Sequence, residues 1–200
     1  MSEKSTNKYA IVDLEATSAS STACIIQVGI VIMQNGRVID EFASDVNPHQ
    51  KLDNHIVHLT GITDQQLSQA PDFSEIARTI FELIEDCIFV AHNVKFDANL
   101  LAEALFMEGF ELRTPRVDTV ELAQVFYPTL EQYNLSYLSR VLNLDLAQAH
   151  TAIEDARATG KLLLHLMDKI ASLPRQTIDM LLTFSDNLLF ESELVIRDAI

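Results

Sequence analysis

A long β-branched stretch that turns back on itself is the feature that most constrains the fold of this chain. Residues 23–34 are rich in isoleucine and valine and are followed directly by Asn35 and Gly36. This dipeptide favours the two-residue turn of a β-hairpin because both residues tolerate positive φ. Residues 37–46 then return with a loose apolar alternation, and residues 9–14 form an earlier apolar run. The pattern predicts three strands, of which the second and third are antiparallel.

The rest of the chain is typical of helices separated by short buried strands. Asp72 and Glu75 precede an apolar helical face in the capping-box pattern of a helix N-terminus. The predicted elements that follow are a strand at 87–91, a helix at 97–108, a strand at 115–119, a helix that ends before Pro128, and helices at 135–142 and 151–172. Strands that alternate with helices indicate an α/β fold with some parallel pairing.

Net charge excludes one common way of binding nucleic acid. The chain has 14 Lys and Arg against 29 Asp and Glu, a formal net charge of −15 at pH 7, and its cations are scattered. Proteins that hold long nucleic acids normally carry a basic patch. Any nucleic acid bound here must therefore be a short piece, held with the help of metal ions or of a further domain.

The composition otherwise predicts one globular domain. With 48% hydrophobic residues among 200, the chain can bury a sizeable core. Two cysteines are too few for a disulfide scaffold, and the longest apolar stretch, residues 25–33, is too short to span a bilayer. Residues 1–8 have no apolar core of the kind found in signal peptides. We therefore expect a cytoplasmic protein that does not contact a membrane.

Four carboxylates stand at the ends of predicted buried elements. Asp13 and Glu15 end the first strand, and residues two apart on a strand point to the same face. Asp97 follows a buried strand where a helix begins, and Asp155 lies in the first turns of the last long helix, just after His150. Taken singly, each has an ordinary explanation: a solvated turn for the strand pair, an N-cap, a favourable helix dipole, and a capping histidine.

Taken together, these residues match the requirements of two-metal phosphoryl hydrolysis. Mg²⁺ and Mn²⁺ prefer oxygen ligands such as carboxylates, and two such ions stabilise both the attacking and the leaving oxygen. A neutral histidine close to the metal site can take the proton of the attacking water near pH 7.

Three motifs surround these acids, at residues 11–17, 92–97 and 150–156. Four shorter segments lie in order between them, at residues 26–29, 58–63, 117–119 and 135–138. Over about residues 7–170 the chain resembles the DEDDh exonucleases, the DnaQ-like branch of the ribonuclease H-like fold. The resemblance implies a central five-stranded mixed sheet flanked by helices, and 3′→5′ removal of nucleoside monophosphates.

The same resemblance implies roles for individual residues. Asp13, Glu15 and Asp155 resemble the direct ligands of two divalent ions, Mg²⁺ or Mn²⁺, with Asp97 as the fourth carboxylate of the metal site and His150 as the general base. The residues expected around the terminal nucleotide are Ala16, Thr17, Ser18, Asn93 and Phe96. Ser18 departs from the family pattern, which has a glycine there, and a glycine allows closer backbone approach to a ligand.

Residues 173–189 resemble the connector that follows the exonuclease domain in Gram-positive DinG-type helicase-nucleases. The sequence therefore predicts an exonuclease domain at 7–172 and a helical connector at 173–200 that begins a further region. Under this interpretation, residues 175–200 form an appendage whose removal leaves activity unchanged. No phosphate-binding loop of an ATPase is present in the sequence.

The expected substrates are 3′ ends of single-stranded DNA, with RNA as a second candidate, and the expected partner is a helicase or polymerase region. Two alternatives stay open. One is the proofreading domain of a polymerase, which shares every catalytic motif. The other is a catalytically silent nuclease-like module that binds a partner or single-stranded ends.

Overall fold

The computed structural model describes residues 7–20, 22–144 and 151–200. Its centre is a five-stranded sheet with the order β3-β2-β1-β4-β5. The strands are β1 (Lys8–Ala16), β2 (Ile25–Gln34), β3 (Arg37–Asp45), β4 (Ile88–Ala91) and β5 (Arg116–Asp118). The first three strands are antiparallel, and β1, β4 and β5 run parallel to one another. The predicted mixed sheet is therefore confirmed, as is the hairpin turn, where Asn35 and Gly36 have φ of 53° and 71°.

Helices cover both faces of the sheet. They are α1 (Asn54–Thr60), α2 (Asp64–Leu67), α3 (Phe73–Ile84), α4 (Val94–Met107), α5 (Thr119–Phe126), α6 (Leu135–Val141), α7 (Ala152–Ala171), α8 (Arg175–Thr183) and α9 (Glu193–Asp198). The predicted capping box opens α3, where the backbone N–H of Asp72 donates to the carboxylate of Glu75 at 2.8 Å. The sequence pattern missed α1 and α2, which are short and together bury a single residue, Leu67.

Side-chain alternation along β1 divides the core into two layers. Tyr9 and Ile11 pack with α5–α9 on one face, whereas Ala10, Val12 and Leu14 pack with α3 and α4 on the other. Each fully buried Ile or Leu contributes roughly 1.5–3 kcal/mol relative to an exposed one. By the same parity, Asp13 and Glu15 extend the face that carries α7. The apolar alternation of β1 thus aims both acids at that helix.

The C-terminal segment, residues 175–200, packs onto the domain, whereas its role as a connector to a further region stays a prediction. Val195 and Ile196 of α9 are at most 1% exposed and join the core layer around α7. The hydroxyl of Tyr9 on β1 donates to the carboxylate of Asp198. The backbone N–H of Glu191 donates to the carbonyl of Arg116 at 2.9 Å, at the outer strand of the sheet. The apolar side chains of α9, a helix that no capping pattern predicted, are therefore part of the core.

Deletion of residues 175–200 is expected to lower the melting temperature of the chain by about 10 °C or more. Val195, Ile196 and Ile178 would leave the core, at roughly 1.5–3 kcal/mol each, and a domain of this size loses about 2–4 °C per kcal/mol. Thermal unfolding followed by circular dichroism measures the change. Arg197→Ala, at an exposed position of α9, is the control, and a truncated chain that melts within 2 °C of it contradicts the packing argument.

No helix among the described residues combines the length and the apolar character that crossing a bilayer requires.

Candidate active site

The site lies where the carboxyl ends of the parallel strands meet. β1, β4 and β5 end at the same edge of the sheet, and α4 begins three residues after the end of β4. The first turn of α7 lies against β1 and β2 at this edge. The four acids predicted from the sequence come from these elements: Asp13 and Glu15 from β1, Asp97 from α4 and Asp155 from α7.

Three of the acids form a compact cluster. One carboxylate oxygen each of Asp13, Glu15 and Asp155 can be chosen so that all lie within 4.8 Å of one another. Asp97 adjoins this cluster from the other layer, where it is 6% exposed and its Oδ1 accepts a hydrogen bond from the backbone N–H of Leu14 at 3.0 Å. The structure therefore brings all four predicted carboxylates to one place.

Asp97 lies within the helix rather than at its cap. The sequence pattern predicted a helix that begins at Asp97, but α4 begins at Val94, and Asn93 is its N-cap in the left-handed region with φ of 75°. The carboxylate of Asp97 is therefore free to reach the backbone of β1. Its ordinary explanation as an N-cap is wrong.

Burial and mutual repulsion make the cluster costly without a cation. Burial, followed by the charges of Asp97, Asp155 and Glu15, raises the pKa of Asp13 well above its usual range. Burial also raises the pKa of Asp97 to about 7, although the N–H of Leu14 opposes the shift. Crowded carboxylates of this kind are stabilised by a divalent cation with oxygen ligands. These residues fit the expected metal ions.

The same shifts predict an unusual pH dependence of stability in the presence of chelator. Because the pKa of Asp97 is about 7 in the folded chain and about 3.9 in the unfolded chain, the folded state binds the proton more tightly. Stability should therefore fall as pH rises from about 4 through 7, and the melting temperature should be higher at pH 6 than at pH 8. Thermal unfolding at both pH values measures this. Asp97→Asn should reduce the difference, and an identical pH trend in that variant would contradict the assignment.

Asp118, a buried acid with no role predicted from the sequence, fixes the backbone next to the acid cluster. Asp118, at the end of β5, accepts hydrogen bonds from the backbone N–H groups of Asn93 at 3.1 Å, Val94 at 3.2 Å and Val120 at 2.8 Å. One carboxylate thus caps the beginnings of both α4 and α5. The segment 117–119 stood among the motifs, but only the tertiary contact identifies what its acid does.

A cleft of about 380 Å³ opens beside the acid cluster. Four of the five residues predicted to surround the nucleotide line it, namely Ala16, Thr17, Ser18 and Phe96. The fifth, Asn93, is not among the lining residues and lies at the N-cap of α4. The opposite wall is formed by residues that the sequence analysis did not predict, at and before α1: Asp53, His55, Ile56 and Leu59. Leu59 belongs to the segment 58–63, which the motifs included without a role, and its side chain is 63% exposed.

His150 lies outside the described residues, so its role as a base stays a prediction. The next residue, Thr151, is the N-cap of α7. The backbone N–H of the next residue, Ala152, donates to Oε1 of Gln27 on β2 at 2.8 Å.

A glycine lets α7 approach the sheet closely enough to bring Asp155 to the strand acids. A Cβ atom built on Gly29 of β2 would lie 2.2 Å from the backbone carbonyl carbon of Ala152. No side chain fits in that space, so the first turn of α7 rests directly on the backbone of β2. This contact explains the segment 26–29, which the sequence analysis recorded only as a motif.

Comparison with known families decides the assignment. The family model RNase_T, described as an exonuclease, matches residues 10–163. The chain belongs to the exonuclease family. The matched residues include all four acids of the site, Asp13, Glu15, Asp97 and Asp155. The match ends before α8 and α9. The exonuclease family that the motifs implied is thereby confirmed.

Known exonucleases resemble this chain in sequence and in fold. The 3′-5′ exonuclease DinG of Staphylococcus aureus is 38% identical over 185 residues, which is 92% of this chain and 21% of that protein. The chain therefore spans about a fifth of the length of that relative. The nuclease domain of 3′hExo, a DEDDh family member bound to rAMP, superposes with a TM-score of 0.71 at 16% identity, covering 84% of this chain and 94% of that domain. Exonuclease I of E. coli in complex with a dT13 oligonucleotide superposes with a TM-score of 0.72 at 16% identity. The superposition covers 89% of this chain and 44% of that chain. These superpositions agree with the predicted ribonuclease H-like fold.

Proposed function

We propose that this chain is a metal-dependent exonuclease that removes nucleoside 5′-monophosphates one at a time from the 3′ ends of single-stranded DNA. The observation that carries the proposal is the position of the acid cluster at one end of a nucleotide-sized cleft. The name of the relative from Staphylococcus aureus, a 3′-5′ exonuclease, supports the direction of cleavage.

Asp13, Glu15 and Asp155 would hold two divalent ions, Mg²⁺ or Mn²⁺, with Asp97 completing the oxygen ligands from the second layer. Two such ions, when bound, supply charge stabilisation for the attacking and the leaving oxygen of the phosphodiester. The carboxylates can bind a cation only when ionised. Because the pKa values of Asp13 and Asp97 are raised, cation binding releases protons from these two residues.

The cleft residues position the strand terminus. Ile56, Leu59 and Phe96 offer apolar surface to the last base and sugar, and Glu15 and Ala16 line the same cleft. Holding the terminal nucleotide in this way places the scissile phosphate beside the acids, and such positioning contributes strongly to rate. A cleft of about 380 Å³ suits one nucleotide and not a duplex end. The net charge of −15 further disfavours long nucleic acids.

His150 is proposed as the general base that accepts the proton of the attacking water. It precedes Asp155 by five residues, at the entry to the helix that carries this acid. With an ordinary histidine pKa, the cleavage rate should rise between about pH 6 and 8 and then level off. His150→Ala should lower the rate by about 100-fold and abolish this rise, as measured by initial rates across pH. A variant that cleaves within threefold of the parent at every pH would contradict this role.

Labelled single strands test the proposed function as a whole. A 3′-labelled oligonucleotide should release labelled monophosphate at once, whereas a 5′-labelled one should shorten stepwise, and a circular single strand should survive. Cleavage should require added Mg²⁺ or Mn²⁺ and stop in excess chelator. An RNA strand of the same sequence decides whether the sugar matters. Cleavage of the circle, or full activity in chelator, would overturn the proposal.

Two alternatives predict other outcomes. A polymerase proofreading domain should prefer a mismatched primer terminus over a free single strand. A silent module should bind the labelled strand without shortening it. The relative named DinG also leads us to propose a helicase region as the working partner, which would deliver the single-stranded end that this acidic domain binds weakly by itself.

A further inference from the structure

A chain of hydrogen bonds crosses the sheet edge beside the acid cluster. Oε1 of Gln27 accepts from the backbone N–H of Ala152 at 2.8 Å, and Nε2 of Gln27 donates to Oδ1 of Asp45 at 2.7 Å. The other oxygen of Asp45, Oδ2, accepts from Nε2 of Gln66 at 2.7 Å. We call Gln27, Asp45 and Gln66 the amide relay. Both polar atoms of the Gln27 amide and both carboxylate oxygens of Asp45 therefore have a hydrogen-bond partner.

The two ends of the amide relay belong to the two halves of the candidate site. At one end, Ala152 is the first residue of α7, three residues before Asp155, and Gln27 pairs directly across from Glu15 in the sheet. At the other end, Gln66 lies on α2 beside Leu67, which is buried in a small separate core. Ile56 of α1, which lines the cleft, packs against that same core.

This small core is separate from the core layer that contains α7. It consists of Ile26, Leu52, Ile62 and Leu67 with Ile56 and Val57 packed against it, and it is distinct from the two layers that sandwich the sheet. The cleft wall and α7 therefore pack in different clusters of apolar side chains, and the amide relay joins them through hydrogen bonds. Hydrogen bonds with fixed donors and acceptors hold the two in register, because breaking the part-buried bonds leaves polar groups of Gln27 and Ala152 unpaired.

We propose that Gln27 is a positioning residue of the active site, which through the amide relay holds the first turn of α7, and thus Asp155, in register with the wall of the nucleotide cleft. The proposal rests on the proposed function and assigns a further residue to it. Under this proposal, Gln27 contacts neither the substrate nor the metal ions. It acts through the backbone of Ala152 and through Asp45.

The central test removes the relay and measures the site, not only the fold. Gln27→Met keeps the length of the side chain but can make neither hydrogen bond. We expect kcat for 3′ cleavage to fall about 30-fold, because displacements of about 1 Å at a catalytic group cost up to 10²-fold. The dissociation constant for Mn²⁺, measured by calorimetry, should rise, and amide hydrogen exchange at Ala152 should accelerate at least tenfold. The control is Gln124→Met at an exposed position of α5, where none of these quantities should change.

A reversal of the central hydrogen bond gives a second, sharper test. Gln27→Glu alone places two carboxylates face to face, and Asp45→Asn alone leaves one amide donor facing another. In the double variant, the carboxylate at position 27 accepts from both Ala152 and the new amide at position 45, whose oxygen still accepts from Gln66. All three hydrogen bonds are restored, so kcat and the Mn²⁺ dissociation constant should return to within about threefold of the parent.

The outcomes separate this proposal from the proposed function. If the double variant is no better than either single variant, or if Gln27→Met stays within twofold of the parent in kcat, Mn²⁺ affinity and Ala152 exchange, the positioning role is overturned. If Gln27 had only a structural role, Gln27→Met would lower the melting temperature. At temperatures well below the melting temperature, kcat and Mn²⁺ affinity would then equal those of the parent, and this result also overturns the proposal. A parent chain that never cleaves overturns the proposed function, while Mn²⁺ affinity and Ala152 exchange still decide whether Gln27 positions α7.

Discussion

Asp13→Asn is expected to lower the rate of 3′ cleavage by at least about 10³-fold while the chain stays folded. Asparagine has the same shape but offers one neutral oxygen in place of a carboxylate at the centre of the acid cluster. A factor of 10³ corresponds to about 4 kcal/mol of transition-state stabilisation, which is within the range attributed to metal sites. Single-turnover cleavage of a 3′-labelled strand in Mg²⁺ or Mn²⁺ measures the loss.

The same substitution should have the opposite effect on stability. The carboxylate of Asp13 is partly buried beside three other acids, so its removal relieves repulsion and the melting temperature in chelator should rise. In saturating Mn²⁺ the parent should regain this difference, because only the parent keeps the full ligand set. Asp168→Asn, at an exposed position near the end of α7, is the matched control and should change neither quantity. A folded Asp13→Asn variant that cleaves within tenfold of the parent would refute the assignment.

Gly29→Ala is expected to lower cleavage at least about 10²-fold and the melting temperature by several degrees. The added Cβ would lie 2.2 Å from a backbone carbon of Ala152, and a backbone atom cannot rotate away as a side chain can. The first turn of α7 must therefore move by more than 1 Å, and Asp155 moves with it. Overpacking of this kind costs typically 1–3 kcal/mol or more, which for a domain of this size is several degrees. Activity and thermal unfolding of the purified variant measure both effects.

Gly109→Ala provides the contrast for this prediction. Gly109 has φ of 86° and no neighbouring atom within 4 Å of a built Cβ. Alanine there should cost about 1 kcal/mol of backbone strain and leave the cleavage rate unchanged. If Gly29→Ala behaves like Gly109→Ala, the close contact between β2 and α7 does not position Asp155.

Local patterns account for the parts of the fold that the sequence predicted correctly. The hairpin followed from Asn35 and Gly36, the start of α3 from its capping box, and the shared face of Asp13 and Glu15 from strand parity. Each of these features depends on residues close together in the chain. Motif spacing added the family and with it the mixed sheet, because the three motifs recur in a fixed order.

The errors fall where partners are distant in sequence. α1 buries no residue and therefore shows no periodic pattern, yet it forms one wall of the cleft. α9 has an ordinary composition, and only its fit against β1 and β5 makes it part of the core. Asp97 looked like a helix cap because its actual partner, the N–H of Leu14, is 83 residues away.

The sequence by itself determined which chemical groups this protein has and on which elements they lie: four carboxylates at the ends of buried strands and helices, in the order of the exonuclease family. The tertiary structure alone decided how close those groups come, which glycine admits α7, and which helix faces the acids across the cleft. The physical reason is that periodicity and capping are set by neighbours along the chain, whereas close approach, burial and pKa depend on side chains that meet only after the sheet has formed.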